Sequence, residues 1–382
     1  MNRYKPLPGA RSSARPLDRA YATQLYAPMS EFIIPFPVLV SDVGGTNVRF
    51  ALQSAPDAPL GPVVHRKTGG FPGLVEAVEA AIADLGGRPR SLIACGAGPV
   101  EGRKLKLTNA PWVIDGPEAA RRLGLEQGLL FNDFEAQALS LPAIPREWAR
   151  AIGPAPFGPT GPQVILGPGT GLGVGALVEA AGRHTPLASE ACHIDFGPID
   201  EEEDAIWPFL ERAHGRVTTE SVISGSGLAR LHAARVVAFA DGPAIPDRAA
   251  TAQRLKSGQQ PAVPTHDAAA VVAAALANRD GPEAASLRLF WRIVARFAGD
   301  MAVAFVATGG VTLAGGVLPR IVDFLDDAAF RQAFEAKAPV DALARRIPTR
   351  LVMRADSVLV GMAAIAATPR LYAIDTHARA WV

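Results

Sequence analysis

Cysteine is scarce, with only Cys95 and Cys192 among 382 residues. Two such residues build no disulfide framework, and neither belongs to a Cys-x-x-Cys pair or a Cys/His array of the kind that holds structural zinc. A reducing cytoplasm suits that composition. Net charge is scarce too, since 38 Lys plus Arg stand against 37 Asp plus Glu and leave +1. Without a broad basic face there is no counterion-releasing contact, so nucleic acid is not an expected partner. Long apolar runs are also missing. The uncharged stretch from Met301 to Leu318 approaches spanning length, but Gly309, Gly310, Gly315 and Gly316 cut it into a helix end, a short strand and a turn, so no membrane partner is expected either. What is present is ample: 49% hydrophobic and 20% charged residues, in a chain long enough for two domains or one large α/β unit.

Residues 1–35 differ from the rest. Arg3, Lys5, Arg11, Arg15 and Arg19 face only Asp18 and Glu31, proline is frequent and no apolar period is sustained. That composition predicts a disordered extension, and Met29 offers a second translation start. From Phe36 the pattern changes to strand, glycine turn, strand: Val38 to Val40, then Gly44-Gly45, then Val48 to Leu52. A helix is expected over Pro72 to Leu85, a buried strand at Ser91 to Cys95, and a strand at Leu129 to Phe131 that ends in Asn132-Asp133 before a helical period. A second strand, glycine turn, strand unit spans Val164 to Val178. Two similar halves, each opened by such a hairpin, predict an internal duplication with a cleft between them. The remainder reads as helical, with a Pro-rich loop over Gly242 to Pro264, a long helix near Ala285 to Ala307 and a strand at Val311 to Leu313 before Gly315-Gly316. The expected division is a small α/β domain over residues 36–132 and a large one over residues 133–382, whose C-terminal segment packs back on the first.

The glycine turns are the first candidates for chemistry. Glycine lets backbone N–H groups approach a phosphate without side-chain interference, while the bland alternative is two tight hairpins. Neither turn matches a P-loop or a dinucleotide fingerprint, because the chain continues as strand rather than opening a helix. Each turn carries a threonine, Thr46 or Thr170. Asp42, just before the first turn, could hold Mg²⁺ or one of its waters, or could simply satisfy turn amides. Asp133, at a strand end before a helix, is placed as a general base and equally as an N-cap. Ser189 to Asp195 gathers Glu190, His193 and Asp195 beside small residues and could bind several hydroxyls, although His193 and Cys192 also fit a core role. Glu220 is an isolated acid near a Ser-Gly-Ser-Gly turn.

In order, Asp-Val-Gly-Gly-Thr-Asn (42–47), Leu-Thr-Asn-Ala-Pro-Trp (107–112), Asn-Asp-Phe (132–134) and Gly-Pro-Gly-Thr-Gly-Leu-Gly (167–173) resemble motifs of bacterial ATP-dependent glucokinases. Ser-Glu-Ala-Cys-His-Ile-Asp-Phe (189–196), Glu-Ser-Val-Ile-Ser-Gly (220–225) and Leu-Ala-Gly-Gly-Val-Leu-Pro-Arg (313–320) continue the resemblance, which runs from about Val38 to Gly361. It implies an α/β fold of two RNase H-like domains, the actin/hexokinase-like ATPase architecture, closing over sugar and nucleotide. It implies ATP and D-glucose as substrates, Mg²⁺ as cofactor, and a homodimer as the candidate assembly. Carried over by motif, Asn109, Asn132, Glu190, His193 and Glu220 bind the sugar, with Asp133 as base toward the 6-hydroxyl. Asp42, Gly44, Gly45, Thr46, Gly169, Thr170, Gly171 and Gly173 would cradle the phosphates, and Gly315 and Gly316 would lie against adenosine.

Two positions depart from the family pattern. Cys192 stands where a glycine is usual, adding bulk beside the sugar and a candidate redox-sensitive thiol. Pro208 should shorten or kink the helix expected over Glu201 to Ala213. The rival readings are a kinase for fructose, mannose or an amino sugar, and a sugar-binding regulator without catalysis. Against the regulator, no helix-turn-helix pattern precedes Val38, and Asp42 and Asp133 are both present.

Overall fold

The computed structural model describes residues 32–156, 158, 160–212, 215–256 and 267–381. Strands β1 (Val38–Val43), β2 (Asn47–Gln53), β3 (Val64–Lys67) and β4 (Ser91–Gly96) are followed by the short β5 (Val100–Glu101), β6 (Lys104–Lys106) and β7 (Val113–Asp115), then by β8 (Gln127–Asn132). The first sheet has the order β3-β2-β1-β4-β8, while β5 to β7 form a small sheet of their own. Within the first sheet β1, β2 and β3 are antiparallel, and β4 and β8 run parallel to β1.

The second half repeats this plan. β9 (Ala149–Ile152), β10 (Gln163–Pro168), β11 (Leu172–Ala180), β12 (Arg183–Ser189), β13 (Gly310–Leu313) and β14 (Thr349–Val352) form a sheet ordered β12-β11-β10-β13-β14-β9. β10 to β12 are antiparallel and β13 and β14 parallel to β10, so five of its six strands copy the first sheet in order and direction. β9 is an added antiparallel edge on β14. The duplication expected from the paired hairpins is therefore present as topology. Every residue of β4 and of β10 is buried, as central parallel strands covered on both faces require.

Helices α1 (Leu74–Leu85) and α2 (Gly116–Leu123) flank the first sheet, and α3 (Asp133–Ser140) leaves the end of β8. Between β12 and β13 come α4 (Glu201–Ile206), α5 (Thr219–Val222), α6 (Gly225–Ala238), α7 (Arg248–Lys256), α8 (Ala268–Ala277) and the long α9 (Pro282–Ala304). Pro282 opens α9, where its missing N–H costs nothing. α10 (Asp327–Glu335) and α11 (Asp341–Arg346) precede β14, and α12 (Ser357–Ala367) and α13 (Thr376–Arg379) follow it. The Pro-rich segment expected as loop thus contains α7, because its prolines lie outside Arg248–Lys256. Its residues 257–266 lie outside the described residues. Pro208 behaves as expected: α4 stops at Ile206 and a single 3-10 turn, Trp207–Phe209, takes over.

The extension expected over residues 1–35 falls, for residues 1–31, outside the described residues. Phe32 to Pro35 do not share its expected disorder. Ile34 is buried in a core with Val38, Phe131, Leu177, Leu359 and Met362, which joins the two sheets. The C-terminal segment returns to the first sheet: Trp381 bridges to Gly128 and buries its indole in the first sheet's core. No larger residue fits beneath it, since a Cβ on Gly116 or Gly128 would fall 2.3 or 2.1 Å from the ring. Among the described residues, no helix is long and apolar enough to cross a membrane. Trp381→Ala should lower stability by about 3–5 kcal/mol, as for other buried large-to-small changes. A denaturant melt checks it, and an unchanged midpoint would show that the tail contributes nothing to the first sheet.

Candidate active site

β8 ends in Asn132, whose side-chain oxygen accepts from the N–H of Phe134 at 3.0 Å and of Glu135 at 3.3 Å. Asn132 is thus the N-cap, and Asp133 is the first residue of α3 rather than its cap. This frees Asp133 for chemistry. Its Oδ1 accepts from the Phe134 N–H at 3.0 Å, while the Asn132 amide donates to the Gly98 carbonyl at 3.1 Å and fixes the cap. Burial raises the Asp133 pKa to about 6, and the charge of Asp42 adds to the rise, against the stabilising hydrogen bonds.

Asp42 ends β1 beside the first glycine turn. Its carboxylate is ion-paired with Arg49 on β2 and accepts from the buried Cys95 thiol at 3.5 Å. Arg49 also donates to the Ala355 carbonyl at 2.6 Å and lies 3.7 Å from Asp356, at the entry to α12. Nothing in the sequence marked Arg49 or Cys95. Their signal is register alone, because Arg49 faces Asp42 across the β1–β2 pair and Cys95 faces it across β1–β4. Magnesium would enter with a nucleotide, and hard carboxylate oxygen is its proper donor. Asp42 fits such an ion through water, since a carboxylate has about four lone-pair sites and Arg49 and Cys95 do not fill them all.

The two turns are built differently. In the first, the Gly44 N–H closes the hairpin on the Asn47 carbonyl, and Thr68 Oγ1 donates to the Gly44 carbonyl at 2.7 Å. A Cβ on Gly45 would stand 3.0 Å from the Asn109 carbonyl, so Asn109 lies directly against this turn, exposed. Thr46 is exposed at its tip. In the second turn the glycines divide by role. Gly169 meets no atom within 4 Å, as does Gly316, so both face open space, and Thr170 is exposed. Gly171 and Gly173 instead face protein: their Cβ atoms would fall 2.4 Å from Glu220 Oε2 and 1.8 Å from the Phe134 ring. Gly315 takes φ +86 with its Cβ position 2.5 Å from the Pro168 carbonyl, a conformation and closeness that glycine tolerates best.

Glu220, on α5, is no isolated acid. Its Oε2 accepts the Leu172 N–H at 2.9 Å and ties the second turn to α5. Thr219 Oγ1 reaches the Ala191 and Cys192 carbonyls at 2.9 and 2.7 Å, which holds the turn Ala191–His193 over that helix. The Trp207 indole donates to the Phe196 carbonyl at 3.0 Å and braces the same loop, a contact presented by the turn that contains Pro208. Glu190 and His193 are exposed, with Oε2 and Nε2 3.7 Å apart. Cys192 is buried, and its thiol is pushed up to about 12, first by burial and then by the charges of Glu190 and Glu220. A protonated, buried thiol is a poor nucleophile, which argues against the redox-sensitive role expected for Cys192.

Two glycine turns at corresponding ends of duplicated sheets, with a carboxylate of raised pKa beside them, are a grouping suited to phosphate and a hydroxyl acceptor. A family model described as Glucokinase matches residues 39–369. The chain belongs to the glucokinase family. It is 40% identical to the glucokinase of Rhizobium meliloti (strain 1021) over 353 residues, 92% of this chain and 98% of that protein. Among solved structures, a glucokinase from an Antarctic psychrotroph superposes with TM-score 0.72 at 26% identity, over 87% of this chain and 99% of its own. A ROK family glucokinase from Streptomyces griseus, in complex with glucose and AMPPNP, shares the fold at TM-score 0.56 and 19% identity, over 86% and 98% of the two chains. The architecture is the actin-like ATPase fold of these kinases.

The division among the glycines of this glucokinase-family cleft is testable. Gly173→Ala should destabilise the protein by about 1–3 kcal/mol through overpacking against Phe134. Gly169→Ala should leave the melting temperature nearly unchanged and raise the KM for nucleotide. Calorimetry with nucleotide titration reads both, and equal melting temperatures for the two variants would refute the division.

Proposed function

We propose that this protein is an ATP-dependent glucokinase, which transfers the γ-phosphoryl group of ATP to the 6-hydroxyl of D-glucose with Asp133 as general base. The observation that carries the reading is Asp133 itself: a carboxylate at a strand end, held by the Phe134 N–H and raised to about 6 by burial. At that value it is largely ionised at neutral pH, yet basic enough to take a hydroxyl proton as the bond to phosphorus forms. Asn132, Asn109, Glu190, His193 and Glu220 are the sugar contacts, and of these the pinned Asn132 and Glu220 are the kind of polar group that rejects an analogue lacking a hydroxyl. The relatives named glucokinase support glucose over fructose, mannose or an amino sugar.

Phosphoryl transfer asks mainly for alignment and for charge stabilisation. The open face of the second turn at Gly169 and Thr170, with Gly316 beside it, is the proposed nucleotide seat, and the first turn at Gly44 to Thr46 receives the transferring phosphate. Gly171 and Gly173 serve the same seat indirectly, by letting Glu220 and Phe134 pack beneath it. Asp42 would hold Mg²⁺ through water when the ion enters with ATP, and the ion would supply positive charge against the phosphates. Arg49 pairs with the Asp42 carboxylate and ties it to the start of α12. The same family reading carries a homodimer, which sedimentation velocity checks.

Expected results are specific. ADP release from MgATP should depend on glucose and fall by about 10²–10⁴-fold in Asp133→Asn. Release with another hexose alone would move the substrate. Glucose binding without release would favour the regulator. Because the base acts as carboxylate, kcat/KM should fall as pH drops through about 6. Asp133→Asn should also raise the melting temperature at pH 7.5, since a raised pKa means that ionising this carboxylate opposes folding above it. A flat profile between pH 5 and 7 would remove Asp133 as base.

A further inference from the structure

The turn Ala191–His193 brings together three different metal-binding side chains. Glu190 Oε2 lies 3.7 Å from His193 Nε2 and 3.8 Å from Cys192 Sγ, and one ligand atom from each of the three lies within 4.8 Å of the others. Ligand atoms at the usual 2.0–2.3 Å from a tetrahedral zinc ion stand roughly 3.3–3.8 Å apart. Two of the measured separations already fall at that edge length. The backbone beneath is fixed: the His193 N–H donates to the Glu190 carbonyl at 3.0 Å, Thr219 Oγ1 holds the Ala191 and Cys192 carbonyls, and Arg216 holds the His193 carbonyl at 2.9 Å. The donors are thus presented from an ordered turn, with Glu190 and His193 exposed and Cys192 at the base. Pre-organisation of this kind reduces the ordering cost of binding.

We propose that Glu190, Cys192 and His193 form a tripod for a divalent cation of the zinc class, and that its occupancy excludes the hexose. One carboxylate, one thiolate and one imidazole are a donor set that favours Zn²⁺ over Mg²⁺, which prefers oxygen alone. Three protein ligands leave a fourth position open to water. Binding releases the thiol proton to solvent, and no redox step is involved. The competition rests on the proposed placing of the sugar on Glu190 and His193, whereas the metal site does not.

Titration of the purified full chain with Co²⁺, without nucleotide, tests the two parts separately. The tripod predicts a thiolate-to-cobalt charge-transfer band, lost in Cys192→Ser and in His193→Ala, and abolished by added Zn²⁺. Zn²⁺ affinity, measured by competition with Co²⁺, should fall by at least about 10-fold in Cys192→Ser, the lower range for losing even a supporting group. Saturating glucose should remove the band, and Zn²⁺ should inhibit competitively with glucose. A folded wild type without the band, or a Cys192→Ser variant that keeps it, overturns the tripod. A cysteine-dependent band that glucose leaves untouched keeps the tripod but overturns the placing of the hexose on Glu190 and His193.

Discussion

Helix α3 begins between the two glycine turns only because hydrogen atoms, not side chains, stand at Gly173, Gly175 and Gly361. A Cβ at these positions would lie 1.8 Å from the Phe134 ring, 2.7 Å from the Phe134 carbonyl oxygen and 1.8 Å from Ser140 Oγ. The helix is therefore clasped by β11 on one side and α12 on the other, closer than any larger residue permits. Phe131, Ala138 and Leu139 share one buried cluster with Ile165 and Leu177 of the second sheet and with Met362 of α12. The position of Asp133 follows from that packing. A side chain that starts a helix so enclosed has lost much of its water, and the same close approach that joins the sheets sets the chemistry of the carboxylate.

Two carboxylates near one another in a cleft are separated by their surroundings. Asp42 has Arg49 as counter-ion, and Asp133 has only hydrogen-bond donors. Desolvation raises the Asp133 pKa, and the charge of Asp42 adds to it. Environment rather than residue type assigns the proposed roles, with Asp42 beside the phosphates and Asp133 beside the hydroxyl. Arg49 links this pair to the seam, because its other contacts, Ala355 and Asp356, begin the helix that packs on α3.

Local patterns made the hairpins, the strand before Asn132, the long α9 and the shortening at Pro208 legible in the sequence, since each depends on neighbours in the chain. Long-range closures were legible only as the expected return of the C-terminal segment, not in the residues that make them. Trp381 reads as a lone aromatic at the chain's end until Gly116 and Gly128 are seen to make room for it. Ile34 sits in a stretch whose neighbours are basic and proline-rich, so composition averaged over residues 1–35 concealed it. The motif Gly-Pro-Gly-Thr-Gly-Leu-Gly marks a backbone that needs glycine but cannot say why at each position. Only the packing separates Gly169, open on one side, from Gly173, filled by Phe134. Similarly, Asn132 and Asp133 are equivalent cap candidates by type, and the hydrogen bonds of Asn132 decide between them.

The residues proposed for the sugar come from both repeats. Asn109 and Asn132 belong to the first half, and Glu190, His193 and Glu220 to the second. Asn109, Glu190 and His193 are exposed, so in this arrangement no single wall encloses a hexose. Enclosure then has to come from approach of the halves, and water has the same access to a phosphoryl group that a 6-hydroxyl has until that approach occurs. Two of these groups are anchored by their side chains: Asn132 is held by Gly98, and Glu220 by Leu172. With the sugar contacts placed as proposed, sugar binding and exclusion of water would be one event, because closure is what would bring those contacts together.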